Sequence, residues 1–433
     1  MNPRTERLLA APIVPTLARL SAPGVLLVAF QSLVSVGDTY FVGRLGTGPL
    51  AGLALVFPLL MLLQMTSAGA MGGGVSSAIA RALGSGHPAL ARRLVVHALV
   101  LALAMGTLFT LLILLLGQPI YALLGGRGDT LDNALRYSDI VFAGAIAVWL
   151  ANTLSSVLRG TGNMVAPAVT LIAAACIHLP LSGTLVGRIG IGGAGIAYVT
   201  TFSIAALAMA VVVWRSSLRP QRGDWTLERR LFGEILRVGA ISMLNALQTV
   251  VTAVIITGFV GRYGAAALAG YGVGLRLEML QIPLVFAVGQ ALVVLVGTHI
   301  GAGRADRARQ IAWAGAGLAA SISLAIGIAV ALFPLAWVGL FSADPAVLES
   351  GSQYLRTVAP FYPLLAVGIA LYFASQGAGR VLRPVLAGTV RLALVLAGGL
   401  LAVSLQGVFI VIAAAMITFG ILTMWFVHSA QWQ

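Results

Sequence analysis

The chain has 433 residues, of which 59% are apolar and only 9% are charged, and its mean hydropathy is +1.01. Soluble globular domains carry about 25% charged residues, so this composition excludes an ordinary soluble protein. The net charge of +14 comes from 26 basic residues, all of them arginine, against 12 acidic residues. The sequence therefore predicts an all-α integral membrane protein that crosses the bilayer many times.

Twelve apolar stretches are long enough to cross a bilayer, which requires about 20 helical residues. They lie at 16–43, 49–80, 92–116, 132–158, 164–187, 191–214, 232–261, 267–300, 307–333, 346–376, 382–404 and 407–428. Prolines inside these spans are candidate helix bends, and the first of them, Pro23, is the one to which we assign a functional bend. The other candidates are Pro58, Pro283 and Pro363.

The arginines indicate how the chain is oriented in the membrane. Counting those at span ends with the connections, eighteen of the 26 belong to one side of the membrane and six to the other, and two lie well inside spans. Positively charged connections stay in the cytoplasm, so this bias places both termini in the cytoplasm of a bacterial-type plasma membrane. Because the positive charge follows short connections, it indicates orientation and not a nucleic-acid partner.

The two halves of the chain repeat each other. The segment 41–46 matches 259–264 at an offset of 218, and the Gly-x-Gly pair at 160–162 matches 377–379 at an offset of 217. Tyr137 matches Tyr354 at the second offset. Each half holds six spans, an even number, so we predict parallel six-helix bundles related by a pseudo-two-fold axis along the membrane normal. The predicted bundles are 1–214 and 232–433, joined by a cytoplasmic linker at 215–231, with a substrate site between them.

Asp38 is the acidic residue of the first span, in a stretch that is otherwise apolar apart from Gln31 and a few hydroxyls. A carboxylate near the bilayer centre costs about 2.5–3.5 kcal/mol on insertion scales, so something has to offset that cost. The structural alternative is a helix-end carboxylate that pairs with Arg44 or caps backbone groups. Its counterpart in the second half is the apolar Ile256, which argues against a purely architectural role. We predict that Asp38 faces a water-filled cavity and binds the coupling cation.

Two further residues are candidates for cation coupling. Glu278, in the eighth span, is a candidate second protonation site or a contact for a cationic substrate, and its counterpart Leu60 is apolar. Arg276 lies two residues away and so does not share its helix face, which leaves an ion pair with another helix as the structural alternative. His178, in the fifth span, is the third candidate, although a lone histidine in a helical bundle more often hydrogen-bonds between helices.

Eight other side chains are candidates for lining a substrate cavity. Amides within spans either hydrogen-bond between helices or give adaptable contacts to a ligand. Methionines either pack the core or form a pliable wall for varied ligands. The eight are Gln31, Asn152, Asn245, Gln248, Met61, Met65, Met243 and Met279.

Five short motifs carry a family resemblance. They are Leu20-Ser-x-Pro23 in the first span, Gly37-Asp38-Thr39 followed by Phe41-Val-Gly-x-Leu-Gly46 at its end, Arg159-Gly-x-Gly-Asn163 after the fourth span, Gly193-Ala-Gly195 in the sixth and Arg276-Leu-Glu278 in the eighth. Together with the two sets of six spans, they make the chain similar to the multidrug and toxic compound extrusion (MATE) transporters over essentially its whole length.

The resemblance implies an antiporter that expels cationic or amphiphilic compounds and is driven by an inward flow of H⁺ or Na⁺. The acid in the first span, with none in the middle of the seventh, is similar to the branch related to the DNA-damage-inducible protein F. Family members often carry an Asn and an Asp in the fifth helix, where this chain has Ala175 and Leu179, and a Thr where it has Tyr198. These departures imply that Asp38 is nearly alone and that H⁺ is favoured over Na⁺ as the coupling ion.

The sequence thus predicts a monomeric secondary transporter with no cofactor besides its coupling ion, no metal centre, no catalytic residues and no nucleic-acid partner. A lipid or lipid-linked oligosaccharide flippase would share this architecture, but its cavity should hold several basic residues, and only Arg276 and Arg391 lie within spans. A membrane-embedded enzyme would need a catalytic cluster that the sequence does not show. A channel, the third alternative, would pass ions without counter-transport.

Overall fold

The computed structural model describes residues 3–429 and Trp432, and within that part of the chain the regular secondary structure is helical throughout. The α-helices are α1 (Pro3–Ala10), α2 (Ile13–Gly43), α3 (Thr47–Gln64), α4 (Gly72–Gly84), α5 (Pro88–Leu123), α6 (Gly128–Ala143), α7 (Ala145–Gly160), α8 (Val165–Ile189), α9 (Ile191–Trp214), α10 (Arg229–Gly261), α11 (Ala265–Gly301), α12 (Ala305–Leu332), α13 (Pro334–Val338), α14 (Pro345–Val358), α15 (Tyr362–Gly377), α16 (Leu382–Leu401) and α17 (Leu405–His428).

The helices agree with the twelve predicted spans. Among the described residues, eleven helical stretches are long and apolar enough to cross a membrane, and the pair α6 and α7 forms one more when taken together. This fourth span is bent by 50° at Gly144, where one helix ends and the next begins. Glycine is one of the few residues at which sharp helix kinks occur.

Several local features were not predicted from the sequence. The short helix α1 precedes the first span, and a π-helix at Met65–Met71 joins α3 to α4 inside the second. A 3₁₀ turn at Ala359–Phe361 interrupts the tenth span, just before α15. By contrast, α2 continues as one helix through Pro23, so a functional bend there stays a prediction.

The internal repeat extends to the backbone conformation. Turns after corresponding spans use glycines with positive φ, a region that glycine enters without the steric cost that a Cβ imposes. The angles are similar within each pair. The pairs are Gly46 (119°) with Gly264 (96°), Gly86 (76°) with Gly303 (71°), and Gly162 (79°) with Gly379 (74°).

The first compact unit comprises the residues up to Arg7 and Ala22–Ala240. In it, α8 and α9 form a hairpin, α7 packs against α5 and α9, and α3 packs against α6. The largest fully buried side chains here include Trp149, Tyr121 and Phe142. This unit also contains the linker, in which a 3₁₀ helix at Arg222–Trp225 is closed by reciprocal hydrogen bonds of a capping box.

The second compact unit comprises Leu8–Ser21 and the residues from Ile241 onward. Within it, α11 packs against α14 and α15, α12 packs against α15, and α16 pairs with α17. Tyr354, Tyr362 and Phe409 belong to its main apolar core. The units divide inside α1, α2 and α10 and not at the linker, and the predicted bundle bounds of 1–214, 215–231 and 232–433 stay a prediction.

Candidate functional site

Asp38 lies where α2 approaches α8 closely. A Cβ atom added to Gly37 would come within 2.4 Å of Cδ2 of Leu179, and one added to Gly183 would lie 3.0 Å from the ring of Phe41. The two glycines therefore let helices with bulky neighbours come together. Because side chains four residues apart share a helix face, α8 presents two polar groups to Asp38 at this contact.

Those two groups are His178 and Ser182. Nε2 of His178 lies 2.9 Å from Oδ2 and 3.0 Å from Oδ1 of Asp38. The hydroxyl of Ser182 donates to Oδ1 at 2.6 Å. The histidine side chain is 2% exposed and that of Asp38 is 13% exposed. The first unit thus holds a largely buried pair of an acid and an imidazole.

The other ring nitrogen of His178 faces α9. Nδ1 lies 3.3 Å from Oγ1 of Thr201, whose hydroxyl donates to the carbonyl oxygen of Ala197 at 2.6 Å. Tyr137 of α6 and Tyr198 of α9 are near enough to Asp38 for an electrostatic interaction. The carboxylate thus contacts α8 directly and has tyrosines of α6 and α9 in its neighbourhood.

A polar network continues from Tyr198 to the π-helical segment. The amide of Gln64 donates to the hydroxyl of Tyr198 at 2.7 Å. Asn152 donates to Oε1 of Gln64 at 3.0 Å and to the hydroxyl of Ser67 at 2.8 Å. Both amide hydrogens of Asn152 thus donate to other helical segments of the first unit. This agrees with the alternative reading, in which amides within spans hydrogen-bond between helices.

The expectation that Asp38 is nearly alone is wrong. It assumed that the partners of Asp38 stand at positions 175 and 179, whereas the structure brings 178 and 182 to the carboxylate. The ion pair that the described residues give Asp38 is with His178, not with Arg44. A polar pair four residues apart in an apolar helix was the signal that could have identified Ser182.

Glu278, in the second unit, has its own set of partners. It is buried, and the hydroxyl of Tyr354 donates to its Oε1. The charges of Glu278 and Arg391 interact, and the Arg391 guanidinium lies over the ring of Phe419, with Cζ 5.7 Å from the centroid. Tyr354 is the repeat counterpart of Tyr137, so corresponding tyrosines lie near an acid in each unit. The acids themselves come from non-corresponding helices, α2 and α11.

The remaining candidates differ in exposure. Gln248 is buried and donates to Thr389 at 2.7 Å, and Asn245 hydrogen-bonds with Tyr372. Of the seven cavity-lining candidates other than Asn152, four are buried or half-buried and three are exposed. Those exposed are Gln31, Met61 and Met279, while Met65 and Met243 are half-buried. Within the described residues, no three His, Cys, Asp or Glu side chains are grouped so that they could hold a metal ion.

The two halves of the chain match one and the same protein-family model. That model, described as MatE, matches residues 23–184 and again residues 240–401. The chain belongs to the MatE family. The double match confirms the family resemblance and the internal repeat that the motifs predict.

Known proteins similar to this MatE chain cover most of its length. It is 28% identical over 379 residues to a protein of Shewanella oneidensis named FAD transporter, which spans 85% of this chain and 82% of the relative. It is 24% identical over 382 residues to a Thermotoga maritima protein named Probable multidrug resistance protein NorM, spanning 86% of this chain and 81% of the relative.

Solved structures share the fold of the MatE chain. A MOP superfamily transporter from Pyrococcus furiosus superimposes with a TM-score of 0.91 at 23% identity, covering 98% of this chain and 96% of that one. A MATE structure in the bent conformation gives 0.92 at 23% identity, covering 99% and 97%. The fold is therefore that of two six-helix bundles, and this MatE protein is a multi-pass membrane transporter.

Proposed function

We propose that this MatE transporter is a secondary active antiporter that exports cationic or amphiphilic compounds in exchange for H⁺. The observation that carries the proposal is the setting of Asp38. Its side chain is largely buried, and it receives hydrogen bonds from His178 and Ser182 of the neighbouring helix. An acid with a titratable partner in a largely buried position is suited to exchanging a proton, and intramembrane acids of this kind mark ion pathways.

The proposed cycle is alternating access. Substrate enters from the cytoplasm while the site is able to accept a cation, and opening to the outside lets a proton reach the site and release the substrate. The inward-open and outward-open states differ in their affinity for H⁺, so proton binding shifts the equilibrium between them. In this scheme α2 bends at Pro23, Glu278 is a second protonation site or a contact for the cationic substrate, and the amides and methionines named above line the substrate path.

We propose the setting of the protein on the same basis. The excess of arginine in one set of connections supports a bacterial inner membrane with both termini in the cytoplasm. The protein acts as a monomer and as a carrier, not as an enzyme, and H⁺ is its coupling ion. Na⁺ is the less favoured alternative, because the positions where family members often carry Asn, Asp and Thr hold Ala175, Leu179 and Tyr198 in this chain.

The experiment is uptake of a fluorescent cationic dye into everted membrane vesicles, energised separately by a pH gradient and by a Na⁺ gradient. We expect the wild-type chain to accumulate dye with the pH gradient and not with Na⁺ alone. Asp38→Asn should abolish the H⁺-driven uptake, whereas Asp132→Asn, which changes an exposed acid in the same unit, should not. Pumping at the wild-type level by Asp38→Asn would refute the role of Asp38.

A second candidate substrate is a flavin dinucleotide. It is favoured by the 28% identity to the Shewanella oneidensis protein named FAD transporter. The pyrophosphate of such a compound is anionic, and Arg276 and Arg391 are the arginines within spans that could contact it. Secretion of FAD by cells that express the chain, abolished by Arg276→Gln or Arg391→Gln but with no dye uptake in vesicles, would favour this candidate over the first.

A further inference from the structure

We infer that the coupling proton is held on His178, as an imidazolium paired with ionised Asp38, and that this internal cation competes with the cationic substrate for the Asp38 carboxylate. The inference rests on the proposed function and deepens it, because it names His178 as the group that carries the proton, in place of the sequence-based prediction that Asp38 itself binds it. In this scheme the Asp38 carboxylate binds either the His178 imidazolium or the substrate cation, one at a time. His178 is therefore the residue that links proton entry to substrate release.

The first step concerns the hydrogen on Nδ1 of His178. A threonine hydroxyl has one hydrogen to donate. The hydroxyl of Thr201 lies 2.6 Å from the carbonyl oxygen of Ala197 in the preceding turn of α9, and that carbonyl can only accept. The Thr201 hydrogen is therefore used, and its oxygen can only accept from Nδ1, 3.3 Å away. Nδ1 carries a hydrogen.

The second step concerns Nε2. It lies 2.9 Å and 3.0 Å from the two oxygens of Asp38, and Ser182 donates to one of those oxygens at 2.6 Å. One hydrogen lies between Nε2 and the carboxyl group, and we assign it to the nitrogen because imidazole is a stronger base than a carboxylate. Nε2 therefore also carries a hydrogen. Imidazole donates from both nitrogens only when it is protonated, and the hydrogen bonds thus describe an imidazolium and a carboxylate.

The surroundings support this charge distribution. From α6 and α9, the titratable side chains near enough to Asp38 to interact with it are Tyr137 and Tyr198, whose hydroxyls are uncharged at ordinary pH. The ion pair that the described residues give Asp38 is the one with His178. Because a buried charge needs a compensating partner, the imidazolium and the carboxylate stabilise each other in this largely dry position.

The proton balance of the cycle follows from the pair. When the site opens outward, neutral His178 takes one proton from water on that side, donates to Asp38 and displaces the bound substrate cation. When the site opens to the cytoplasm, His178 gives one proton to water there, and the carboxylate is left free for the next substrate cation. One H⁺ enters for each positive charge that leaves, and Asp38 stays ionised throughout.

The charge of His178 can be measured without transport. Protein labelled with ¹⁵N-histidine is reconstituted in lipid, and the His178 signal among the five histidines is assigned by its loss in His178→Gln. We expect wild-type His178 to show two protonated nitrogens near neutral pH, and to lose one of them in Asp38→Asn at the same pH. A neutral His178 in the wild type over about pH 5–8, the range in which histidine normally titrates, would overturn the inference. The same titration in wild type and Asp38→Asn would overturn it too.

Transport assays then separate coupling from folding. His178→Gln keeps a donor for Asp38 but cannot take up a proton. We expect this variant to keep the wild-type midpoint of thermal unfolding in detergent and to lose H⁺-driven accumulation and its pH dependence, while His87→Gln, at an exposed histidine, keeps the accumulation and its pH dependence. An unchanged H⁺-driven accumulation in His178→Gln would overturn the inference with the proposed function intact. If the wild type itself shows no H⁺-driven transport, the proposed function fails, and the nitrogen signals still decide where the proton lies.

Discussion

Nε2 of His97, in α5, accepts a hydrogen bond from the backbone N–H of Glu228 at 2.8 Å, and its Nδ1 donates to the carbonyl oxygen of Arg93 at 2.7 Å. The ring is therefore neutral, with its hydrogen on Nδ1. It is fully buried, and it packs edge-to-face on Phe232 with 4.6 Å between centroids. This contact ties the end of the linker, where α10 begins, to a membrane span of the same unit.

Replacing His97 by phenylalanine should loosen that attachment. His97→Phe keeps a ring in the packing position but removes the acceptor of the Glu228 N–H, and the loss of one hydrogen bond costs about 0.5–1.5 kcal/mol. His97→Gln is the matched control, because its amide oxygen can still accept. We expect a lower midpoint of thermal unfolding in detergent and faster hydrogen exchange of segment 215–231 for the phenylalanine variant. If His97→Phe proved more stable than His97→Gln, the hydrogen bond from the Glu228 N–H to His97 would not stabilise the protein as we expect.

The linker should also respond to acid through Glu228. The hydrogen bond from Arg93 lowers the pKa of this exposed carboxyl below its ordinary value of 4.5, and the positive charges of Arg93 and Arg230 act in the same direction. The pKa of Glu228 is lower in the folded state than in the unfolded state. The ion pair therefore stabilises the linker fully at a pH above the ordinary pKa of a glutamate. That contribution is lost as the pH falls through the lowered pKa.

Hydrogen exchange of the linker peptides checks this prediction. Glu228→Gln should exchange faster than the wild type at neutral pH, and the difference between the two proteins should disappear in acid, once the carboxyl is protonated. The comparison at each pH removes the intrinsic pH dependence of exchange. A difference that persists undiminished below the lowered pKa would show that the ion pair with Arg93 is not its cause.

Glu278 and Tyr354 should depend on each other in the second unit. Tyr354→Phe removes the hydroxyl that donates to the buried acid. We expect a loss of about 1–3 kcal/mol in unfolding free energy, because the acid loses its donor inside the core. In a Glu278→Leu background, the same tyrosine change should cost less, since no acid is left to satisfy. Thermal unfolding of the four proteins measures the coupling, and additive effects would mean that the two side chains do not interact.

The first turn of α9 should not accept a side chain at Gly193. A Cβ there would lie 2.4 Å from the carbonyl carbon of Leu185 and 2.6 Å from the nitrogen of Val186, and backbone atoms cannot move aside cheaply. We expect Gly193→Ala to destabilise the protein by about 1–3 kcal/mol, as overpacking does. Gly187→Ala in the same hairpin meets nothing within 4 Å and is the control. Equal unfolding temperatures of the two variants would rule out this close approach.

Much of the fold could be predicted because membrane spans are a local property. A helix that crosses the bilayer satisfies its own backbone hydrogen bonds, so the length and polarity of each apolar stretch are enough to identify it. The interruptions were harder. The π-helix at Met65–Met71 lies in an apolar stretch whose composition gives no sign that the hydrogen-bond pattern changes. The 3₁₀ turn at Ala359–Phe361 comes just before the candidate bend at Pro363, but the kind of interruption was not predicted.

The candidate site was predicted in part. The acid in the first span is visible as a charge in an apolar stretch, and His178 is visible in the same way. Their contact was not predicted, and Ser182, Gln64 and Tyr198 were missed as members of the network. A serine, an amide or a tyrosine within a span is common enough to pass as interhelical packing. Its importance depends on which neighbour it meets.

The sequence by itself determined the family, the repeated set of spans and the acid on the first of them. It did so because hydrophobic length, turn glycines and an isolated carboxylate are properties of single stretches of chain. Only the tertiary structure decided that Asp38 contacts His178 and Ser182. It also decided that Nδ1 of His178 contacts the hydroxyl of Thr201, and that Glu278 is hydrogen-bonded to Tyr354. Helical periodicity tells which residues share a face, but which faces meet depends on how closely the backbones approach, as they do at Gly37 and Gly183.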